Sequence, residues 1–133
     1  MLRGFANLNL VADDVPAAIE WYSKVLDQPP YFVRPETGAP EYAEFRFGDD
    51  EDELALMSSA YRPSLSEPGG AVMSMHVDDA AASLERLLEL GATVQQPLME
   101  RGEGWWNATV ADPFGNLLGI IQSPHWAAQH ARG

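Results

Sequence analysis

The chain has no cysteine among its 133 residues, so neither a disulfide nor a thiolate metal ligand can belong to its architecture. It is also poor in positive charge: 8 Lys and Arg stand against 20 Asp and Glu, for a formal net charge of −12. Phosphate binding needs clustered basic side chains, so this balance argues against a nucleic-acid partner. The acidic excess keeps a protein soluble by self-repulsion, and it also favours a cationic ligand or partner. No apolar run approaches the roughly 18 to 20 residues of a membrane helix. Arg3-Gly4-Phe5-Ala6 lacks the pattern of a signal peptide. No membrane partner and a cytoplasmic address are therefore expected. A glycine-rich phosphate loop and a Gly-x-Ser-x-Gly nucleophile motif are both missing.

What is present is a repeat. Val11-Ala12-Asp13-Asp14, followed by Ala17, Ala18, Ile19 and Glu20, returns 65 positions later as His76-Val77-Asp78-Asp79 with Ala82, Ser83, Leu84 and Glu85. Leu54, Leu56 and Ser59 return 64 positions later as Leu118, Ile120 and Ser123. Two copies of one supersecondary unit imply a pseudo-symmetric site, and the corresponding positions then become the ones to read. The length suits one ordinary domain, and a hydrophobic fraction of 46% suits a folded rather than a disordered chain.

Alternating apolar and polar residues predict a strand over 5–11. Asp13 or Asp14 then caps a helix with Pro16 in its first turn, where a missing N–H costs little. Val15, Ile19, Tyr22 and Leu26 recur at helical spacing as its packing stripe, and Pro29-Pro30 stops it. Strands follow over 31–34, 41–47 and 53–58, the last two joined by the acidic turn 48–52. A linker over 60–70 carries Pro63, Pro68, Gly69 and Gly70. The second copy reads as a strand over 71–77, a helix over 79–90 closed by Gly91, and strands over 93–98, 105–111 and 117–122. Leu84, Leu87 and Leu88 form the stripe of its helix. The tail 123–133 is expected to be peripheral, with His125 and His130 carrying little weight.

The expected fold is α+β: two tandem βαβββ modules, about 4–59 and 71–122, within one domain. Each mixed sheet has one helix on its outer face, and the sheets curl into an open trough able to hold a ligand.

Residues Asn7-Leu8-Asn9-Leu10-Val11-Ala12-Asp13-Asp14 with Trp21-Tyr22, Val77-Asp78-Asp79 with Leu87, Leu90, Gly91 and Ala92, and Asp112-Pro113-Phe114-Gly115-Asn116-Leu117 resemble the vicinal oxygen chelate superfamily. That superfamily includes glyoxalase I, extradiol dioxygenases and bleomycin-binding resistance proteins. The resemblance spans about residues 4 to 122 and implies the two-module fold and a homodimer. One fold hosts many chemistries, so it leaves the activity open.

The resemblance also implies four metal-ligand positions in catalytic members, typically His or Glu, one on each of four strands. Here they are Asn7, Ala55, Val72 and Gly119, of which three have no donor side chain and the fourth offers a weak amide oxygen. Taking every second residue puts Asn7, Asn9 and Val11 on the trough side of the first strand. Glu53, Ala55 and Met57 follow on the fourth, Val72, Ser74 and His76 on the fifth, and Leu117, Gly119 and Ile121 on the last. His76 and Glu53 are the strong donors among these, at opposite ends of their strands. No metal and no cofactor are expected.

Other candidates each carry two readings. Trp105 and Trp106 point to opposite faces, so one fills the core while the other lines the trough rim, and either packing or ligand stacking suits them. His76 suits a general base, a donor to ligand, or a satisfied half-buried histidine, with the last preferred. Asn7 and Asn9 form a polar floor. Glu44 and Arg46 alternate with Phe45 and Phe47. The aromatics are expected to pack and the charges to line the cavity as a pair, although the opposite register is open. The segment 49–53 reads as a solvated hairpin tip rather than a cation site, because it lacks the spacing of a calcium loop.

The leading expectation is a metal-free binder of a small hydrophobic or cationic ligand, similar to the antibiotic-sequestering relatives. That ligand would lie against Trp105 or Trp106, Met57, Val72 and the Asn7/Asn9 pair. The alternatives are a metal-dependent lyase, isomerase or dioxygenase of the glyoxalase type, and a non-catalytic sensor.

Overall fold

Asp14 starts the first helix. Its side chain accepts a hydrogen bond from the Ala17 amide at 3.0 Å, satisfying one of the donors left free at a helix N-terminus, and Pro16 occupies the first turn. The computed structural model describes residues 1, 3, 5–61 and 71–131, so the predicted linker beyond Tyr61 lies outside the described residues. The chain divides into two compact units, Met1–Leu65 and Ser66–Gly133.

The first unit runs β1 (Leu8–Ala12), α1 (Val15–Leu26), β2 (Phe32–Arg34), β3 (Tyr42–Phe47) and β4 (Asp52–Ser58), ending in a 3₁₀ turn, Ser59–Tyr61. Its sheet has the order β1-β4-β3-β2, with β1 parallel to β4 and the other pairs antiparallel. Leu10, Ala12, Ala43, Phe45, Leu54 and Leu56 are buried on the face against which α1 lies. The buried side of α1 is Val15, Ala18, Trp21 and Tyr22, whereas Ile19 and Leu26 are only half-buried. The stripe is thus centred on the larger aromatic rings, and burying Tyr22 alone stabilises by about 1.5–3 kcal/mol. The helix ends before Pro29-Pro30: Asp27 adopts a left-handed conformation (φ 58°) and its amide bonds the Ser23 carbonyl.

The second unit runs β5 (Met73–His76), α2 (Ala80–Glu89), β6 (Thr93–Gly102), β7 (Trp105–Ala111), β8 (Leu117–Gln122) and α3 (Pro124–Gln129). Its sheet has the corresponding order β5-β8-β7-β6, again with one parallel pair. Ala108, Val110, Leu118 and Ile120 are buried on the side where α2 lies. Asp79 caps α2 through the Ala82 amide at 3.1 Å, and the Gln122 side chain accepts from the Ala80 amide at 2.8 Å. A strand end and a cap therefore share the work of satisfying that helix start. Gly91, at φ 104°, closes it.

Two expectations, for Leu88 and for the end of β6, need correction in this unit. Leu88 is 41% exposed, because it turns outward from the line on which Ala80 and Leu87 are buried. β6 continues past residue 98 to Gly102, with register shifts along the way, and Gly102-Glu103-Gly104 makes a tight return into β7. The Gly104 amide is held by the Glu100 carboxylate at 3.1 Å. The tail forms a capped helix. Ser123 accepts from the Trp126 amide at 3.1 Å, and the Trp126 ring stacks on His76 (4.7 Å) and on His130 (4.4 Å). Among the described residues no helix is long and apolar enough to cross a membrane.

The turn before β8 is built on one carboxylate. Asp112 is buried, and its Oδ1 accepts from the amides of Phe114 (2.9 Å) and Asn116 (2.7 Å) while Oδ2 accepts from the Asn116 side chain (2.9 Å). Gly115 supplies the positive φ (92°) that closes the loop, so the recognisable motif is a self-satisfied turn.

Candidate functional site

Each sheet has one face packed on its helix and one face left for other uses, and the residue pairing fixes what each open face carries. In the first unit Asn9, Ala55, Glu44 and Phe32 stand side by side across the four strands. The next row is Val11, Met57, Tyr42 and Arg34, and Arg46 pairs with Glu53 at the other end. In the second unit Ser74, Gly119, Thr109 and Gln96 form the matching row, followed by His76, Ile121, Asn107 and Met99. The two rows correspond strand for strand, which is the repeat seen in the sequence expressed as geometry.

Eight of the twelve candidate residues fall into these two groups, while Asn7, Val72, Trp105 and Trp106 lie outside the rows. Asn7 precedes β1, is half-buried, and accepts a bond from the Asn9 side chain at 3.3 Å. Val72 precedes β5 and is 46% exposed. Trp106 shares its face with Ala108 and Val110, whereas Trp105 lies on the opposite face and is 42% exposed. Ala55 is buried at the centre of its sheet. At Gly119 a Cβ would meet the Ser74 hydroxyl at 2.7 Å, so the serine side chain occupies the space that a side chain on β8 would need.

Glu44 and Arg46 share the open face, and Phe45 packs beneath with Ala43. They are not paired with each other, however, which corrects the expectation. Arg46 binds Glu53 at 3.0 Å and lays its guanidinium over the Tyr31 ring, 4.2 Å from the centroid. Glu44 instead accepts from two phenols: Tyr31 donates to Oε2, and Tyr42 donates to Oε1 at 2.5 Å. Those two hydroxyls, Tyr31 first, hold the Glu44 carboxyl below its ordinary range. Tyr42 is raised in turn, chiefly by its withdrawal from water and then by the bond to Glu44. Phe32 meets Tyr42 edge-on at 6.2 Å and carries the Arg34 guanidinium 4.0 Å above its ring.

Tyr31, Phe32, Tyr42 and Trp126 were not among the sequence candidates. Tyr42 lies two residues before Glu44 and so had to share its face; Ser123-Pro124 is a helix-start signature that would have located Trp126. On the second sheet Thr109 donates to Gln96 at 3.3 Å and Arg101 to Asn107 at 3.0 Å, so the polar groups of that face are largely engaged with one another.

The donor set decides how a metal would fare. Of the four positions implied by the family pattern, Ala55, Val72 and Gly119 have no donor atom, and no group of three or more His, Asp or Glu able to hold an ion occurs among the described residues. The residues present do not fit a divalent metal.

Comparison with known proteins settles the lineage. The family model of the Glyoxalase/Bleomycin resistance protein/Dioxygenase superfamily matches residues 4–120. The chain belongs to this superfamily. Among similar solved structures is a glyoxalase-related enzyme from Fulvimarina pelagi, 23% identical with a TM-score of 0.70, covering 92% of this chain and 90% of that one. The fosfomycin resistance protein FosX from Listeria monocytogenes is 14% identical with a TM-score of 0.70, covering 92% and 95%. TioX from Micromonospora sp. ML1 is 20% identical with a TM-score of 0.66, covering 89% and 98%. At these identities the likeness speaks for the fold. A search of curated proteins returns no match.

Proposed function

We propose that this superfamily member is a metal-free small-molecule binding protein. Its ligand is flat and hydrophobic to cationic, held on the open sheet faces by shape, stacking and hydrogen bonding. The observation that carries this reading is the chemistry of the central row: Ala55 and Gly119 offer no donor side chain, and the Ser74 hydroxyl lies where a Cβ on Gly119 would stand. A mechanism in which an ion chelates two substrate oxygens needs lone pairs that these residues lack. The aromatic and acidic groups of the first sheet suit a flat cationic partner instead. Resistance-related structures among the similar folds, such as the fosfomycin resistance protein, make an antibiotic a reasonable ligand. Sequestration would protect by mass action wherever protein exceeds drug. A homodimer is part of the same proposal.

Two measurements test it. Metal analysis of protein purified without chelators should find substoichiometric zinc, nickel, manganese and iron; one equivalent of any of them would overturn the proposal in favour of a glyoxalase-type enzyme. A thermal-shift screen should then show stabilisation by aromatic cationic antibiotics and none by fosfomycin or simple 2-oxo aldehydes.

A further inference from the structure

Glu44 is an unusual carboxylate for an open sheet face. Each of its oxygens already accepts one tyrosine hydroxyl, Tyr31 on one and Tyr42 on the other, so the group is fixed in orientation before any ligand arrives. Preorganisation of this kind removes the rotamer cost that a free glutamate pays on binding. Each carboxylate oxygen carries two lone pairs, so one acceptor position remains on each oxygen of the fork. Such a fork matches two parallel N–H donors, the bidentate geometry of a guanidinium or amidinium, better than the single point of an ammonium.

The surrounding rings favour the same occupant. Arg34 and Arg46 lay their guanidinium groups over Phe32 and Tyr31, so this surface already stacks planar cations. Neither arginine forms an ion pair with Glu44: Arg46 is bonded to Glu53 and exerts only a minor charge effect on Glu44, Arg34 is bonded to Glu36, and no ion pair among the described residues includes Glu44. An ionised, oriented carboxylate beside aromatic walls is thus left without a salt-bridge partner, in a chain of net charge −12.

We propose that Glu44, clamped by Tyr31 and Tyr42 and faced by Phe32, is the subsite that receives a planar delocalised cation of the ligand, an amidinium or guanidinium group. This rests on the small-molecule binding reading above and names the chemistry of one of its contacts. Tyr31 and Tyr42 act as positioning residues for the carboxylate.

The test uses two flat probes of nearly the same shape, one a delocalised cation with two N–H donor groups and the other a neutral amide. Benzamidine, followed by calorimetry and by NMR shifts of the tyrosine rings, should bind the unmodified protein, while neutral benzamide should bind at least tenfold more weakly. Glu44→Gln should weaken benzamidine about tenfold and leave benzamide unchanged. Tyr42→Phe should weaken benzamidine less, since it loosens the carboxylate without removing it. Equal binding of the two probes to the unmodified protein would overturn the cation subsite and leave the broader reading standing, as would failure of both to bind. The comparison on unmodified protein holds even if a variant folds poorly. Stoichiometric metal, in contrast, would overturn the broader reading on which this subsite rests, whereas the probe comparison bears on the subsite alone.

Discussion

The Ser74 hydroxyl stands 2.7 Å from the point where a Cβ on Gly119 would lie, so the first atom of any side chain there collides with it. The contact links the edge strand β5 to its parallel neighbour β8 in the second sheet. Gly119→Ala should therefore force the Ser74 side chain to rotate or shift, destabilising the fold by about 1 kcal/mol. Adding Ser74→Gly should recover most of the loss. Chemical denaturation of the two single variants and the double variant measures the coupling. Additive effects would show that the serine is not what closes the position. A Gly119→His variant, which restores a donor of the family type, should lose stability in the same way.

The Asp112 turn offers a second quantity. One buried carboxylate accepts two backbone amides and one side-chain amide, and removing it strands all three donors. Asp112→Ala should cost about 2–4 kcal/mol in urea unfolding, since bonds to charged acceptors exceed neutral ones and buried orphans add their own penalty. Asp112→Asn keeps one acceptor oxygen and should cost roughly half as much. A loss below about 0.5 kcal/mol for the alanine variant would mean that the turn is held by the proline and glycine instead.

Much of this architecture was legible in the residues. β7 and β8 begin and end where the sequence pattern and the Asp-Pro-x-Gly-Asn turn placed them, β7 through its alternation of buried and half-buried residues and β8 through an apolar run after the turn. The repeat gave the two-module order, since the same hydrophobic pattern must bury itself the same way twice. The strand expected over 93–98 is there, but its continuation to Gly102 escaped because nine of the ten residues of β6 are exposed, leaving no period to mark where it ends. The pairing of Glu44 was invisible for another reason. Alternation tells which residues share a face but not which neighbour a side chain chooses, and two phenols donate to Glu44 while Arg46 turns to Glu53.

Those phenols make a pH prediction with a built-in control. Burial and the bond to Glu44 raise the Tyr42 hydroxyl above the ordinary phenol value, and the bond to Glu44 raises Tyr31. A raised value means that the folded chain holds the proton more tightly than the unfolded one. The stability it contributes is whole below the ordinary phenol range and is lost as pH rises through the folded value. Glu44 is the opposite case: its lowered carboxyl stabilises above the ordinary carboxylate range, and that contribution disappears as pH falls through the lowered value. Glu44→Gln should move Tyr31 and Tyr42 back toward the ordinary value in an NMR titration. Tyr61, raised by Glu41 on its own, should stay where it is. Equal movement of all three would point to a general field rather than to the bonds.

The His76–Trp126–His130 column sets the behaviour of the tail. Both stacks are close to parallel, with interplanar angles of 12° and 18°, and α3 buries no residue of its own. Aromatic pairs contribute about 0.5–1.5 kcal/mol each, so Trp126→Ala should lower the opening free energy of α3 by about 1–3 kcal/mol. Amide exchange in residues 126–130 should speed up by about tenfold or more, while the global unfolding midpoint moves little because the sheet and α2 keep their packing. Trp126→Phe, which preserves a smaller stacking surface, should fall between. If exchange in the tail is unchanged in the alanine variant, the Ser123 cap and the Pro124 contact with Gly104, not the ring column, hold the helix in place.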